Sequence, residues 1–138
     1  MKVTRTVRYG LRALVEIAKH RDEDSKITKR RIAESIDVTL SFLENILAQL
    51  CKTGLILSTT GVYGGYELNK LPTDIKVSDI FNSLEEDYSL VNCILDEGSC
   101  SFVESCPNRN FWSKLYQNID NIFNNVTLQN IIDGNFNF

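Results

Sequence analysis

The sequence has no apolar run approaching the ~20 residues that a membrane-spanning helix needs. Its opening, Met1-Lys2-Val3-Thr4-Arg5, is not followed by the apolar core of a secretory signal. A soluble chain that stays in the cytoplasm, with no membrane partner, is expected. There is a single histidine in 138 residues. No Ser/His/Asp arrangement, phosphate-cradling glycine loop or paired acids in a pocket-forming context stands out, so an enzyme is not expected. His20 falls at the end of a helical segment and reads as an ordinary surface residue. Internal repeats and low-complexity stretches are also missing, although the C-terminus is rich in asparagine. What remains has the length of one domain, or one compact domain plus an extension, and its hydrophobic fraction of 43% is enough for a core.

The formal charge of −3 hides an asymmetry. Residues 1–70 carry 12 Lys/Arg against 8 Asp/Glu, whereas residues 71–138 carry 3 against 10. Phosphate binding needs local rather than global positive charge. The N-terminal half supplies it, most densely at Lys26, Lys29, Arg30 and Arg31. A solvated basic helix face has the same composition.

Residues 4–20 read as an amphipathic helix, with Val3, Val7, Leu11, Leu14, Val15 and Ala18 at helical spacing. Residues 21–25 form a polar loop. A short helix follows from Thr28 to Ile36, with Thr28 as N-cap and Ile32, Ala33 and Ile36 inward. After the turn Asp37-Val38-Thr39, Ser41 and Glu44 have the S-x-x-E form of a capping box. The helix they open, with Leu43, Ile46, Leu47 and Leu50, stops near Gly54, where glycine supplies a left-handed terminus. Leu55–Ser58 and Tyr66–Leu68 read as strands around a turn marked by Gly61, Gly64 and Gly65. Val77 to Leu84 is the next helix, with Val77, Ile80, Phe81 and Leu84 on one face. Residues 87–110 lack periodicity. A long helix resumes from about Arg109 to Asn125, with Trp112, Leu115, Tyr116, Ile119, Ile122, Phe123 and Val126 as a broad apolar stripe. A short helical piece, Leu128 to Ile132, precedes the tail.

The order helix, helix, turn, helix, glycine-tipped hairpin is the winged helix-turn-helix plan. The fold class expected is mainly α with a small β-hairpin wing, extended by a long C-terminal helix. On this plan the third helix starts at Leu40 or Ser41 and offers its leading residues to the major groove of double-stranded DNA. Those residues, expected to be exposed, are Thr39, Ser41, Phe42, Glu44 and Asn45. Glu44 suits cytosine N4, Asn45 suits adenine, and Thr39 and Ser41 suit a base edge or a phosphate. Two bland readings compete: Ser41 and Glu44 as mere caps, and a winged helix that binds protein instead.

Four cysteines are present. Cys51, near the end of the third helix, reads as a buried small hydrophobe. Cys93, Cys100 and Cys106 fall within 14 residues of an irregular, glycine-containing segment. In a reducing cytoplasm that clustering points to metal or redox chemistry rather than a disulfide framework. Thiolates suit soft metals and iron–sulfur clusters, and the spacing is unlike the paired C-x2-C knuckles of structural zinc. Spacing alone leaves a cluster, zinc, and free or redox-active thiols all open.

Several stretches, in order and at nearly the right spacing, resemble the IscR/NsrR/CymR type of bacterial transcriptional regulators, the Rrf2 family. They are Met1-Lys-Val-Thr-Arg-Thr-Val-Arg-Tyr-Gly-Leu-Arg-Ala-Leu14, Ile32-Ala-Glu-Ser-Ile-Asp-Val-Thr-Leu-Ser-Phe-Leu-Glu-Asn45, Leu50-Cys-Lys-Thr-Gly-Leu55, Gly61-Val-Tyr-Gly-Gly-Tyr66, Val77-Ser-Asp-Ile80, and Cys106 followed six residues later by Trp112. The resemblance covers almost the whole chain. It implies a homodimer on a pseudo-palindromic operator, with the helix near residues 109–126 as the dimerisation element. It divides the chain into a DNA-binding domain (1–86), a cluster-binding loop (87–108), and a dimerisation helix with tail (109–138).

The resemblance further implies a [2Fe–2S] or [4Fe–4S] cluster on Cys93, Cys100 and Cys106, sensing iron–sulfur, redox or nitric oxide status. The alternative is a cofactor-free regulator controlled by a partner protein or by thiol oxidation. Members often carry an arginine in the wing just before the glycine that matches Gly61; here that residue is Thr60. Lys2, Arg5, Arg8 and Lys29 remain as phosphate contacts, with Thr60 and Tyr63 in the wing. Some relatives complete the cluster with a histidine three residues after the last cysteine, and others with an acidic residue from the first helix of the partner subunit. The matching residues here are Arg109 and Arg8, neither a credible iron ligand. Asp96, Glu97, Glu104, a small-molecule thiol or water is left for that place.

Overall fold

The computed structural model describes residues 2–22 and 26–138. Of the expected polar loop, residues 23–25 lie outside the described residues. The order is α1 (Arg5–Lys19), α2 (Lys29–Ile36), α3 (Leu40–Lys52), β1 (Ile56–Thr59), β2 (Gly65–Leu68), α4 (Val77–Ser83), α5 (Arg109–Asn125) and α6 (Leu128–Asp133), with short 3-10 turns between. The fold is mainly helical with one antiparallel hairpin, as the sequence pattern predicts.

The core is where the periodicities place it. Val7, Leu14 and Ile17 of α1, Ile32 and Ile36 of α2, and Leu43, Ile46, Leu47 and Leu50 of α3 are all buried. They meet Ile56 of β1 and Val77, Ile80 and Phe81 of α4. Three threonines start three helices. Thr4, Thr28 and Thr39 sit in extended conformation, and each hydroxyl accepts from the backbone N–H three residues on. The third case corrects the sequence reading. Thr39, not Ser41, caps α3, with Phe42 N donating to Thr39 Oγ1 at 3.3 Å. Ser41 therefore lies inside the first turn, and the S-x-x-E pattern is not a capping box here.

The wing packs closely against the segment that precedes α2. β1 and β2 pair from Ile56 with Leu68 to Thr59 with Gly65. Tyr66 N also donates to Ile27 O at 2.8 Å, so the segment before α2 adds a bridge that the sequence did not announce. Gly65 has φ +147, and a Cβ there would lie 2.5 Å from Ile27 O. Only glycine lets these two backbones approach so closely.

The C-terminal helices return to this core. Val77 N donates to Val126 O at 2.9 Å, and Leu128 N donates to Ile75 O at 2.8 Å. Leu128 is 0% exposed and joins the same core. By contrast, no residue of the 17-residue helix α5 is fully buried. Its Tyr116, Ile119 and Phe123 pack on the core from one side only.

Candidate DNA interface and cysteine loop

The leading end of α3 presents Leu40, Ser41, Glu44 and Asn45 as exposed side chains. Phe42, expected among them, is instead half-buried. Its ring meets Tyr9 of α1 edge to face at 5.8 Å, and the Arg5 guanidinium lies over it at 4.5 Å. Thr39 is exposed, but its hydroxyl oxygen is engaged as the cap. Glu44 is engaged as well, since Lys29 Nζ donates to its carboxylate at 2.9 Å. That hydrogen bond and charge raise the Lys29 ammonium above its ordinary range. Two predicted DNA contacts thus pair with each other, each keeping hydrogen-bonding capacity to spare.

Lys2, Arg5 and Arg8 are exposed around the start of α1. At the wing tip Thr60 is exposed, and Val62 and Tyr63 are 95% and 82% exposed. Side chains so far from any packing are unconstrained by the fold. The wing carries no cation between Thr59 and Gly65, and Lys26 faces Glu67 of β2 at 3.9 Å.

The segment between α4 and α5 carries two short 3-10 turns in otherwise irregular structure. Cys93 lies in the turn Asn92–Ile94, Cys100 follows the turn Glu97–Ser99, and Cys106 O accepts from Arg109 N as α5 begins. Asp96 accepts from Gly98 N at 3.0 Å, which shapes the middle of the loop. Arg109, three residues after Cys106, donates to Glu97 and so ties the loop to the start of α5. This pairing engages Glu97, which the sequence had offered as a fourth ligand.

All three loop cysteines are free and half-buried. Three thiols are donors whose chemistry suits a cluster. Among the described residues no three Cys, His, Asp or Glu side chains stand together as a metal site. Cys51 is half-buried, not fully buried as expected of a core hydrophobe, and burial pushes its thiol up from the ordinary value. His20 is half-buried, with Nδ1 2.8 Å from Glu16 O.

The loop is joined to both neighbours by an aromatic group whose centre, Tyr88, sequence reading did not single out. Tyr88 stacks on Tyr116 of α5 at 5.7 Å and meets Phe81 of α4 edge to face at 5.5 Å. Phe123 touches both Phe81 and Tyr88. Tyr88 OH donates to Asp120 Oδ1 at 2.6 Å, and burial together with that carboxylate raises its phenol well above the ordinary range. Tyr88 lies four residues beyond the expected 77–84 helix, in the segment without periodicity, so no pattern pointed to it.

A third helix with an open leading end, buttressed by two others and followed by a glycine hairpin, defines a winged-helix transcriptional regulator that binds DNA. The Rrf2 family profile, described as an iron-dependent transcriptional regulator, matches residues 3–134, and the chain belongs to that family. Members are regulators rather than enzymes. The chain is 33% identical over 132 residues to the protein rrf2 of Nitratidesulfovibrio vulgaris, covering 96% of this chain and 87% of that one. Among solved structures it is similar to IscR of T. potens, with TM-score 0.74, 30% identity, and coverage of 97% of this chain and 88% of the other. It is also similar to CymR, the global cysteine regulator of B. subtilis, with TM-score 0.80, 26% identity, and coverage of 99% of each chain. No helix among the described residues is long and apolar enough to cross a membrane.

Proposed function

We propose that the protein is a cytoplasmic homodimer that binds a pseudo-palindromic operator and reads its signal at the thiol loop, through an iron–sulfur cluster on Cys93, Cys100 and Cys106. The observation that carries this reading is the position of the three free thiols. They lie on one loop whose ends are α4, packed in the DNA-binding core, and α5, the helix with an incompletely covered apolar stripe. A change at the thiols is therefore one step from both the helix-turn-helix and the dimer surface. The division into residues 1–86, 87–108 and 109–138 follows these roles.

Ser41, Glu44 and Asn45 read base edges in the major groove, and Thr39 and Phe42 hold the leading turn in place. Lys2, Arg5, Arg8 and Lys29 face phosphates, and Thr60 and Tyr63 rest on the backbone beside the wing. Trp112, Leu115 and Ile122 of α5 meet a second copy, because an amphipathic helix of this length is not left with a half-covered stripe in water. When bound, a cluster would supply reactivity toward oxygen or nitric oxide, and Cys93, Cys100 and Cys106 would hold it.

The test is purification without oxygen, followed by iron and sulfide analysis, a visible spectrum, and DNA binding of the loaded and stripped forms. Wild type should be coloured, and Cys100→Ala should lose colour and iron. A colourless, iron-free wild type ends the cluster reading. The second reading, a cofactor-free regulator controlled by thiol oxidation or by a partner protein, is favoured by the likeness to a cysteine regulator. It expects an iron-free dimer whose DNA affinity changes on mild oxidation of the loop thiols or on addition of the partner.

A further inference from the structure

Arg5, Tyr9 and Arg12 share one face of α1, at spacings of four and three residues. Phe42, in the first turn of α3, completes an alternating group across the two helices. The Arg5 Cζ lies 4.5 Å from the Phe42 ring centre and 5.4 Å from that of Tyr9. On the other side Arg12 Cζ lies 4.9 Å from the Tyr9 ring centre. The two rings meet at 86°, so each supports the other. A guanidinium held over a ring uses its flat face for the contact and leaves its N–H edge free.

The charge balance around Arg5 points the same way. Lys29 is paired with Glu44, and Arg109 with Glu97. Among the described residues no carboxylate pairs with Arg5. Its charge is thus oriented by rings yet not neutralised, beside the first turn of the helix that enters the groove. A planar fork in that condition is suited to a phosphate, which it grips by two parallel hydrogen bonds.

We infer that Phe42 is a positioning residue: with Tyr9 it holds the Arg5 guanidinium for a phosphate of the bound duplex, so that seating the recognition helix and clamping the backbone are one event. This rests on the DNA-binding role and adds to it a coupling between α1 and α3. It withdraws Phe42 from base contact. Ordering Arg5 in advance spares side-chain entropy on binding, and a contact of this kind is worth about two- to fivefold in affinity per protomer.

The experiment uses a duplex selected from a random-sequence library by the wild-type protein, titrated over a salt series. Arg5→Ala should weaken binding and lower the slope of log affinity against log salt by about 0.9 per protomer. Phe42→Leu keeps an apolar side chain but removes the ring, and should weaken binding about two- to fivefold per protomer. Phe42→Tyr should restore wild-type affinity. The double variant Arg5→Ala/Phe42→Leu should bind no more weakly than Arg5→Ala alone. Arg5→Lys, which needs no change at Phe42, should keep the salt slope and lose affinity. Additive losses, a Phe42→Leu protein that binds like wild type, or an Arg5→Lys protein that does so would each overturn the inference. A loss on Arg5→Ala confined to particular base sequences would overturn the phosphate assignment. A wild type that selects no duplex would overturn the DNA-binding role itself.

Discussion

Thr39→Ala and Ser41→Ala form a matched pair that separates capping from DNA contact at the start of α3. Thr39 is extended (φ −70, ψ 150), and its Oγ1 accepts from Phe42 N at 3.3 Å. Removing an N-cap hydroxyl costs about 1 kcal/mol, because one orphan amide of the first turn loses its acceptor. At ~2.1 cal/mol/K per residue, a chain of 138 residues has an unfolding entropy near 0.3 kcal/mol/K. Thr39→Ala should therefore lower Tm by about 3 to 4 °C. Ser41 is exposed within the helix, and Ser41→Ala should stay within about 0.5 kcal/mol of wild type. Thr39→Ser should recover the loss. Calorimetry at one fixed protein concentration is the assay, since association would itself shift Tm. Operator binding should fall in Ser41→Ala without any change in melting. A larger drop in Tm for Ser41→Ala than for Thr39→Ala would refute the reasoning and restore the capping box.

Two further outcomes follow from the C-terminal return and from the aromatic group. Leu128→Ala empties a fully buried site and should cost about 3 kcal/mol, or roughly 10 °C in a single transition. If melting stays at the wild-type temperature while hydrogen exchange rises only around residues 126–133, α6 is an appendage and the core does not depend on it. Tyr88, whose phenol is raised by burial and by its bond to Asp120, favours the neutral form when folded. Its contribution is present in full below the ordinary phenol value of about 10 and is lost as pH rises through the folded value. Tm should fall above pH ~10, and more gently in Tyr88→Phe; equal slopes in the two proteins would refute this.

Where local chemistry and burial agree, the chain could be read directly. The three-to-four spacing of Val7, Leu14 and Ile17, and of Leu43, Ile46, Leu47 and Leu50, already specifies which helix faces go inward. Gly61, Gly64 and Gly65 locate the hairpin, because a Cβ would collide with backbone at Gly64 and Gly65 and Gly61 has a positive φ that favours glycine. The resemblance carried by the stretches from Met1 to Trp112 reached the family. Other features depended on residues far apart in sequence. Thr39 and Ser41 are both good caps, and which one is used depends on how α3 docks. Phe42 looks like a leading groove residue until Tyr9 and Arg5 of α1 are placed beside it. The pairs Lys29–Glu44 and Arg109–Glu97 span 15 and 12 residues, and no local pattern encodes them. Spacing brought the three loop thiols into one segment, but whether their sulfurs meet is set by the 3-10 turns and the helices that anchor them. Turns of the backbone position side chains through contacts that pattern alone does not contain, so only the folded chain decided these.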